Sequence, residues 1–242
     1  MKKFLSKILY YTAIVLVRIA MFFTYSLRFE GRENIPDRDA AIFASNHRSY
    51  LDPVLVVLGT PHMFCFAAKE ALFKTPGFSH LIRALGAFPT TWEKDPEYDM
   101  LAEATKRLKG KRYMTIFPEG TRHTDGKVGR GKSGMCVLAA KSGVPIVPVG
   151  LVFDSNNLHF RSKICVRFGK PFYPEEYGLT PDSNPHQMRK MKEDVMASIK
   201  EMVEENPPFP ILHDEPKRKS SREKAREQRA AAKAAQTTTE EK

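Results

Sequence analysis

Cysteine is scarce in this chain of 242 residues. The three that occur, Cys65, Cys136 and Cys165, are far apart and odd in number. No two have the short spacing of a metal-ligand motif, and each lies among apolar residues. This argues against a disulfide framework or a structural metal, and buried free thiols in a reducing compartment are expected. Acidic residues are also in deficit: 28 Asp and Glu face 39 Lys and Arg, a formal net charge of +11. Such an excess attracts anions, whether phosphate ligands, acidic lipid or nucleic acid. From about Asp214 the chain lacks large apolar side chains, so it cannot bury a core. Lys217 to Lys233 holds eight basic and two acidic residues but no aromatic platform. A disordered basic tail over 213–242, drawn to anionic lipid rather than to nucleic acid, follows.

What is present begins with one long apolar run. Ile8 to Leu27 gives twenty mostly apolar residues, about the length that crosses a bilayer. Arg18 sits in its middle and falls on one helical stripe with Lys7, eleven residues earlier. A central charge costs roughly 2.5–3.5 kcal/mol on insertion scales, so a helix lying in the membrane interface is expected over residues 1–30. Arg18 and the lack of a small-x-small cleavage site argue against a secretory signal. Such a segment would hold the chain at a membrane, peripherally or by a single helix.

Residues 31–212 read as the folded unit. The runs 40–46, 63–68, 113–117, 144–153 and 163–168 are short, apolar and bounded by turn signals, as strands are. Helix-like stretches at 96–109, 132–142 and 184–205 alternate with or follow them, the last ending at Asn206-Pro207-Pro208. The fold class is therefore α/β: a mostly buried mixed sheet flanked by helices, with an N-terminal membrane-associated helical segment.

Two stretches carry chemistry. The first, Asn46-His47-Arg48-Ser49-Tyr50-Leu51-Asp52-Pro53, leaves a strand. On one helix His47 and Asp52 would lie about 140° apart, so a turn must bring them together. Pro53 supplies it by disfavouring helical geometry at Asp52 and suiting the first helical position. Asp52 then serves either as the cap of a helix over Val54–Leu58 or as the carboxylate that orients His47 as a general base. The second stretch is FPEGTRHTDGKVGRGKSG, residues 117–134. Gly126, Gly131, Lys132 and Ser133 match a nucleotide-binding loop. Such a loop must pass directly from strand to helix, and the polar residues Pro118–Asp125 intervene. Pro145 and Pro148 also make the following strand awkward as a central one. Read from Phe117, the same stretch puts Glu119, Thr121 and Arg122 at a strand's carboxyl end, where open α/β sheets bind ligands. Gly120 allows a tight turn there, and an arginine fork suits a phosphate monoester.

Together these stretches resemble the glycerolipid acyltransferase family. Asn46-His47 with a four-residue gap to Asp52 matches its first motif. Lys69-Glu70-Ala71-Leu72-Phe73, then Pro76-Gly77, resembles its second, and Phe117-Pro118-Glu119-Gly120-Thr121-Arg122 its third. Val144-Pro145-Ile146-Val147-Pro148-Val149 resembles its fourth, and Gly131-Lys132-Ser133-Gly134 the start of the helix after the third. The chain departs from the family at Thr90 and Thr91, where many relatives carry an arginine nearby, and at His123, where serine is common. The resemblance implies transfer of a fatty acyl group from acyl-CoA or acyl-carrier protein to the 2-hydroxyl of lysophosphatidate, without metal or cofactor. The donor is cytosolic, which implies the cytoplasmic face of the cell membrane. The resemblance also implies His47 as base and Asp52 as its orienting group. Lys69 and Arg122 would grip the acceptor phosphate, and Glu119, Gly120 and Thr121 would place the glycerol. The alternatives are a related enzyme acting on glycerol-3-phosphate or another lysophospholipid, a non-catalytic membrane-binding protein, and the nucleotide-loop enzyme.

Overall fold

Seven strands form one sheet in the order β1-β7-β6-β2-β5-β3-β4. The strands are β1 (Ser26–Glu30), β2 (Ile42–Ser45), β3 (Phe64–Ala68), β4 (Ala87–Pro89), β5 (Tyr113–Ile116), β6 (Ile146–Phe153) and β7 (Lys163–Phe168). The computed structural model describes residues 2–37, 40–91 and 99–211. The expected basic tail and the start of the helix expected from residue 96 lie outside them. The five strands β2 to β6 run parallel to one another; β7 is antiparallel to β6 and parallel to β1. The sheet is thus mixed, and the carboxyl ends of β2, β3, β4, β5 and β6 share one edge.

Helices cover both faces. On one face pack α5 (Met100–Lys109), α6 (Gly134–Ser142) and α7 (Arg189–Lys200), the last continued by a π-turn over Glu201–Glu205. On the other lie α1 (Lys2–Thr24) and α2 (Asp52–Leu58). The short helices α3 (Glu70–Phe73) and α4 (Phe78–Ala84) link β3 to β4. Helix α5 opens with Asp99, whose side chain accepts from the Leu101 N–H at 2.8 Å, and closes with Lys106, Arg107 and Lys109 in its last turn. Both ends thus match the helix dipole. In the second layer Phe43 packs against Phe64, Tyr113 and Phe168, with ring centroids 5.1, 5.0 and 6.0 Å away. All four rings are buried, and each contributes about 1.5–3 kcal/mol of burial. The three cysteines are free and buried, and burial pushes the thiols of Cys65 and Cys136 up to about 12.

Three expectations change. The N-terminal helix stops at Thr24, and Ser26–Glu30 forms an edge strand paired with β7 instead of continuing the helical segment. Strands β1 and β4 were absent from the expected set: β1 adjoins the apolar helical run, and β4 has only three residues. Finally, β6 lies between β7 and β2 despite Pro148. Its ladder to β7 shows why. Between the pairs Gly150–Arg167 and Ile146–Phe172 the β7 side carries one extra residue. The missing N–H of Pro148 faces this bulge, as the Ile146 N–H does when it donates to Phe172. A proline is tolerated where no ladder partner waits.

Helix α1 is two-sided in a way its sequence leaves open. Tyr10, Ile14 and Met21 are buried against the sheet layer, and the Tyr10 hydroxyl donates to the His62 carbonyl while accepting from the Phe64 N–H at 3.0 Å. Arg18 is exposed, and its guanidinium donates to the Leu58 carbonyl at the end of α2 at 3.0 Å. The opposite arc exposes Ile8, Tyr11, Val15, Leu16, Ile19, Phe22 and Phe23.

Candidate active site

The site forms where β2 ends. Asn46 follows Ser45 and is fully buried. Its amide nitrogen donates to the Leu151 carbonyl at 3.0 Å and its oxygen accepts from the Leu151 N–H at 2.7 Å. The side chain thus pairs with β6 as a peptide unit would, and the backbone is free to turn at His47. Both main-chain polar groups of His47 are then held: its N–H by Glu119 Oε2 at 3.3 Å, and its carbonyl by the His123 N–H at 2.7 Å.

Asp52 closes the turn. Its Oδ2 accepts from His47 Nδ1 at 2.7 Å, from the Arg48 N–H at 2.6 Å and from the Ser49 N–H at 2.8 Å. Capping of α2, the structural alternative for Asp52, is not what the carboxylate does: it faces back into the turn that precedes the helix. Helix α2 begins at Asp52 itself, after Leu51, so Pro53 is its second residue and not the first as expected. An ionised carboxylate only accepts, so Nδ1 carries the proton and Nε2 keeps its lone pair. The Asp52 side chain is wholly buried and that of His47 about 20% exposed. The imidazole lies flat on the Phe117 ring, with centroids 4.0 Å apart and planes 20° from parallel.

The loop after β5 folds over this turn. Glu119 is buried, 5% exposed, and its Oε1 accepts from the Gly129 N–H at 3.1 Å. With Oε2 on His47, the carboxylate joins both arms of the loop to the histidine's backbone. Burial pushes the Glu119 carboxyl above its ordinary range, while the Gly129 and His47 N–H groups pull it back. The expected contact of Glu119 with a glycerol thus meets a carboxylate already engaged on both oxygens. Gly120 has φ 74, and a β-carbon there would meet Lys132 Nζ at 3.0 Å. It is the residue that permits this left-handed turn beside a cation. Lys132 itself donates its backbone N–H to the Pro118 carbonyl at 2.9 Å. Thr121 and Arg122 are exposed, and the Arg122 guanidinium lies 3.7 Å over the ring of exposed Tyr50. Lys69 is exposed just past β3, at the same sheet edge. The fold therefore joins His47, Asp52 and Glu119 directly and sets Lys69, Gly120, Thr121 and Arg122 around them at the strands' carboxyl ends.

Arg48, Tyr50 and Phe117 complete the site and were not among the residues expected to act. Arg48 is 5% exposed; its guanidinium stacks 4.7 Å from the Phe153 centroid and donates to Asn156 Oδ1 at 3.1 Å. Burial pulls it below the ordinary arginine range, against the opposing pull of Asp52 and Asp125. Only its place beside His47 could have drawn notice, because Phe153 and Asn156 are remote in the chain. The nucleotide-loop reading fails on geometry: residues 117–133 form a long folded loop between β5 and α6, not the tight strand-to-helix turn that reading needs.

Comparison with known proteins gives the family and the fold. A profile of the acyltransferase family matches residues 26–152. The chain is 35% identical over 137 residues to a chloroplastic 1-acyl-sn-glycerol-3-phosphate acyltransferase of Arabidopsis thaliana, covering 55% of this chain and 38% of that protein. It is 30% identical over 147 residues to the 1-acyl-sn-glycerol-3-phosphate acyltransferase of Streptococcus pneumoniae, covering 59% and 54%. The crystal structure of the 1-acyl-sn-glycerophosphate (LPA) acyltransferase PlsC from Thermotoga maritima superposes with a TM-score of 0.62 at 31% identity, covering 84% of this chain and 80% of that one. The chain spans about half the length of the curated relatives it matches.

Proposed function

The chain belongs to the acyltransferase family, and on that premise we propose that it transfers a fatty acyl group to the 2-hydroxyl of lysophosphatidate, making phosphatidate. The observation that carries this reading is the Asp52–His47 pair at 2.7 Å, with the histidine's backbone braced on both sides. The donor is a thioester, acyl-CoA or acyl-carrier protein. The names of the relatives support the acceptor, and the cations Lys69 and Arg122 at the same edge support a phosphate on it.

The proton account follows from the tautomer. Nε2 of His47 removes the proton of the acceptor hydroxyl as its oxygen attacks the thioester carbonyl. A carbon–oxygen bond forms, the tetrahedral intermediate collapses, and the carbon–sulfur bond breaks. The imidazolium then returns its proton to the departing thiolate. Asp52 stabilises that imidazolium and holds the ring, and Phe117 adds a π-face against it. Glu119 acts as a positioning residue through the His47 backbone. Gly120 and Thr121 border the space for the glycerol.

Membrane association belongs to the same reading. The exposed apolar arc of α1 suits insertion into one leaflet, and the helix from Lys7 to Thr24 is long and apolar enough to cross a bilayer by composition alone. Its docking from Tyr10 to Met21 against the domain favours lying in the interface over spanning it. A cytosolic thioester donor places the catalytic edge on the cytoplasmic side.

The test is a purified-protein assay with labelled acyl-CoA and lysophosphatidate. Replacing His47 with Ala removes a positioned base worth about 10²–10⁴-fold, and turnover falls by at least that while the melting curve is unchanged. Turnover retained in the folded variant overturns the mechanism.

A further inference from the structure

Resting on the membrane association proposed above, we propose that a groove beside β1, separate from the His47 turn, binds the phosphate headgroup of one anionic phospholipid molecule. The groove has a volume of about 360 Å³ and lies between the end of α1, strand β1 and the end of α2. Arg18, Arg32 and Arg161 line it, and no carboxylate is among its lining residues. Three arginines on one hollow, with no acid among its lining, give it a positive field that an anion would offset.

Each arginine is set by its own anchor. Arg18 is tied to the Leu58 carbonyl, and the Arg32 guanidinium lies 4.5 Å over the Phe29 ring. Arg161 holds a left-handed φ of 66, and its backbone N–H donates to the Thr24 carbonyl at the end of α1 at 2.7 Å. A non-glycine residue held there is uncommon, and here it fixes Arg161 beside the groove. Arginine side chains suit the oxygens of a phosphate because each fork can make two parallel hydrogen bonds.

The rest of the lining names the source of that phosphate. Phe22, Leu27 and Phe29 give the groove an apolar wall. Phe22 is 67% exposed and belongs also to the bare apolar arc of α1. The groove therefore opens onto the surface that meets the bilayer. A ligand with an anionic head and a hydrocarbon tail satisfies both parts, whereas a free phosphate leaves the apolar wall bare.

The experiment measures binding of the full chain to vesicles of phosphatidylcholine alone and of phosphatidylcholine with an equal share of phosphatidylglycerol. The comparison variants are Arg32→Gln/Arg161→Gln and, as a charge-matched control, Lys106→Gln/Lys109→Gln on α5. Each cation near an anionic surface is worth about fivefold, so the groove variant loses about 20–30-fold of its preference for anionic vesicles. Its binding to phosphatidylcholine is unchanged, and the α5 variant stays close to the parent. Equal losses in both variants mean a diffuse charge effect and overturn the site. A calorimetric titration with short-chain dioctanoyl lipids below their micelle concentration decides independently of vesicles, and of any misfolding in the variants. Saturable one-to-one binding of the phosphatidylglycerol but not the phosphatidylcholine form is expected. No saturation, or equally tight binding of inorganic phosphate, refutes a lipid site. His47→Ala binds vesicles as the parent does, so failure of the acyl-transfer reading is seen separately from failure of the groove.

Discussion

One carboxylate oxygen organises the catalytic turn: Asp52 Oδ2 receives the imidazole and two backbone N–H groups. The five-residue offset made that pairing readable as a turn, because one helix would set the two side chains about 140° apart; Pro53 did not keep Asp52 out of α2. Glu119 was harder to read. In sequence it is a polar residue in a polar loop; in the fold its partners are the backbones of residues 47 and 129. Burial raises its carboxyl above the unfolded value, so the folded state binds the proton more tightly. The stability this contributes is full below the ordinary glutamate range, near pH 4, and declines as pH rises through the folded value. Glu119→Gln removes that dependence and also turns a donor toward one of the two N–H groups, costing about 1–3 kcal/mol. Thermal melts from pH 4 to 7 are expected to show the variant less stable throughout, with its deficit narrowing as pH rises. A constant deficit would show that the carboxyl does not titrate in this way.

At the scale of elements, the sheet extends past its last formal residue through a side chain. Asn46 continues the pairing of β2 with β6 by two hydrogen bonds to Leu151. Asn46→Ala leaves a buried N–H and a buried carbonyl without partners, a loss of about 2–4 kcal/mol, or roughly 5–15 °C in Tm for a domain of this size. Calorimetry checks the stability, and acyl transfer should fall with it because His47 loses its anchor. The five longer apolar runs were legible as strands because burial on both faces selects continuous apolar sequence. β1 was not: SLRFE has exposed Ser26 and Arg28 and gains its strand state only from pairing with β7. Pro148 misled for the opposite reason, since the bulge that accommodates it belongs to another segment.

For the whole molecule, the proposed membrane association would bring the net charge and the surface of α1 to the same bilayer. Leu16 and Phe23 are 63% and 67% exposed, far round the helix from its docked stripe. Leu16→Gln/Phe23→Gln is expected to weaken binding to uncharged phosphatidylcholine vesicles by at least about tenfold, given roughly 1.5–3 kcal/mol per fully buried large apolar side chain. The melting temperature should hold, because neither residue packs in the core. Vesicle sedimentation measures the first quantity. Undiminished sedimentation would mean that the apolar arc meets something other than lipid.

The sequence by itself determined the fold class, the pairing of His47 with Asp52 and the excess of cations. These follow from local patterns: apolar periodicity, a five-residue offset that requires a turn, and the count of Lys and Arg. Tertiary structure decided which side of α1 is docked, what Glu119 and Asn46 hold, and that Arg18, Arg32 and Arg161 line one groove. Those facts depend on strand order and register, which bring together residues that nothing in their own neighbourhoods connects.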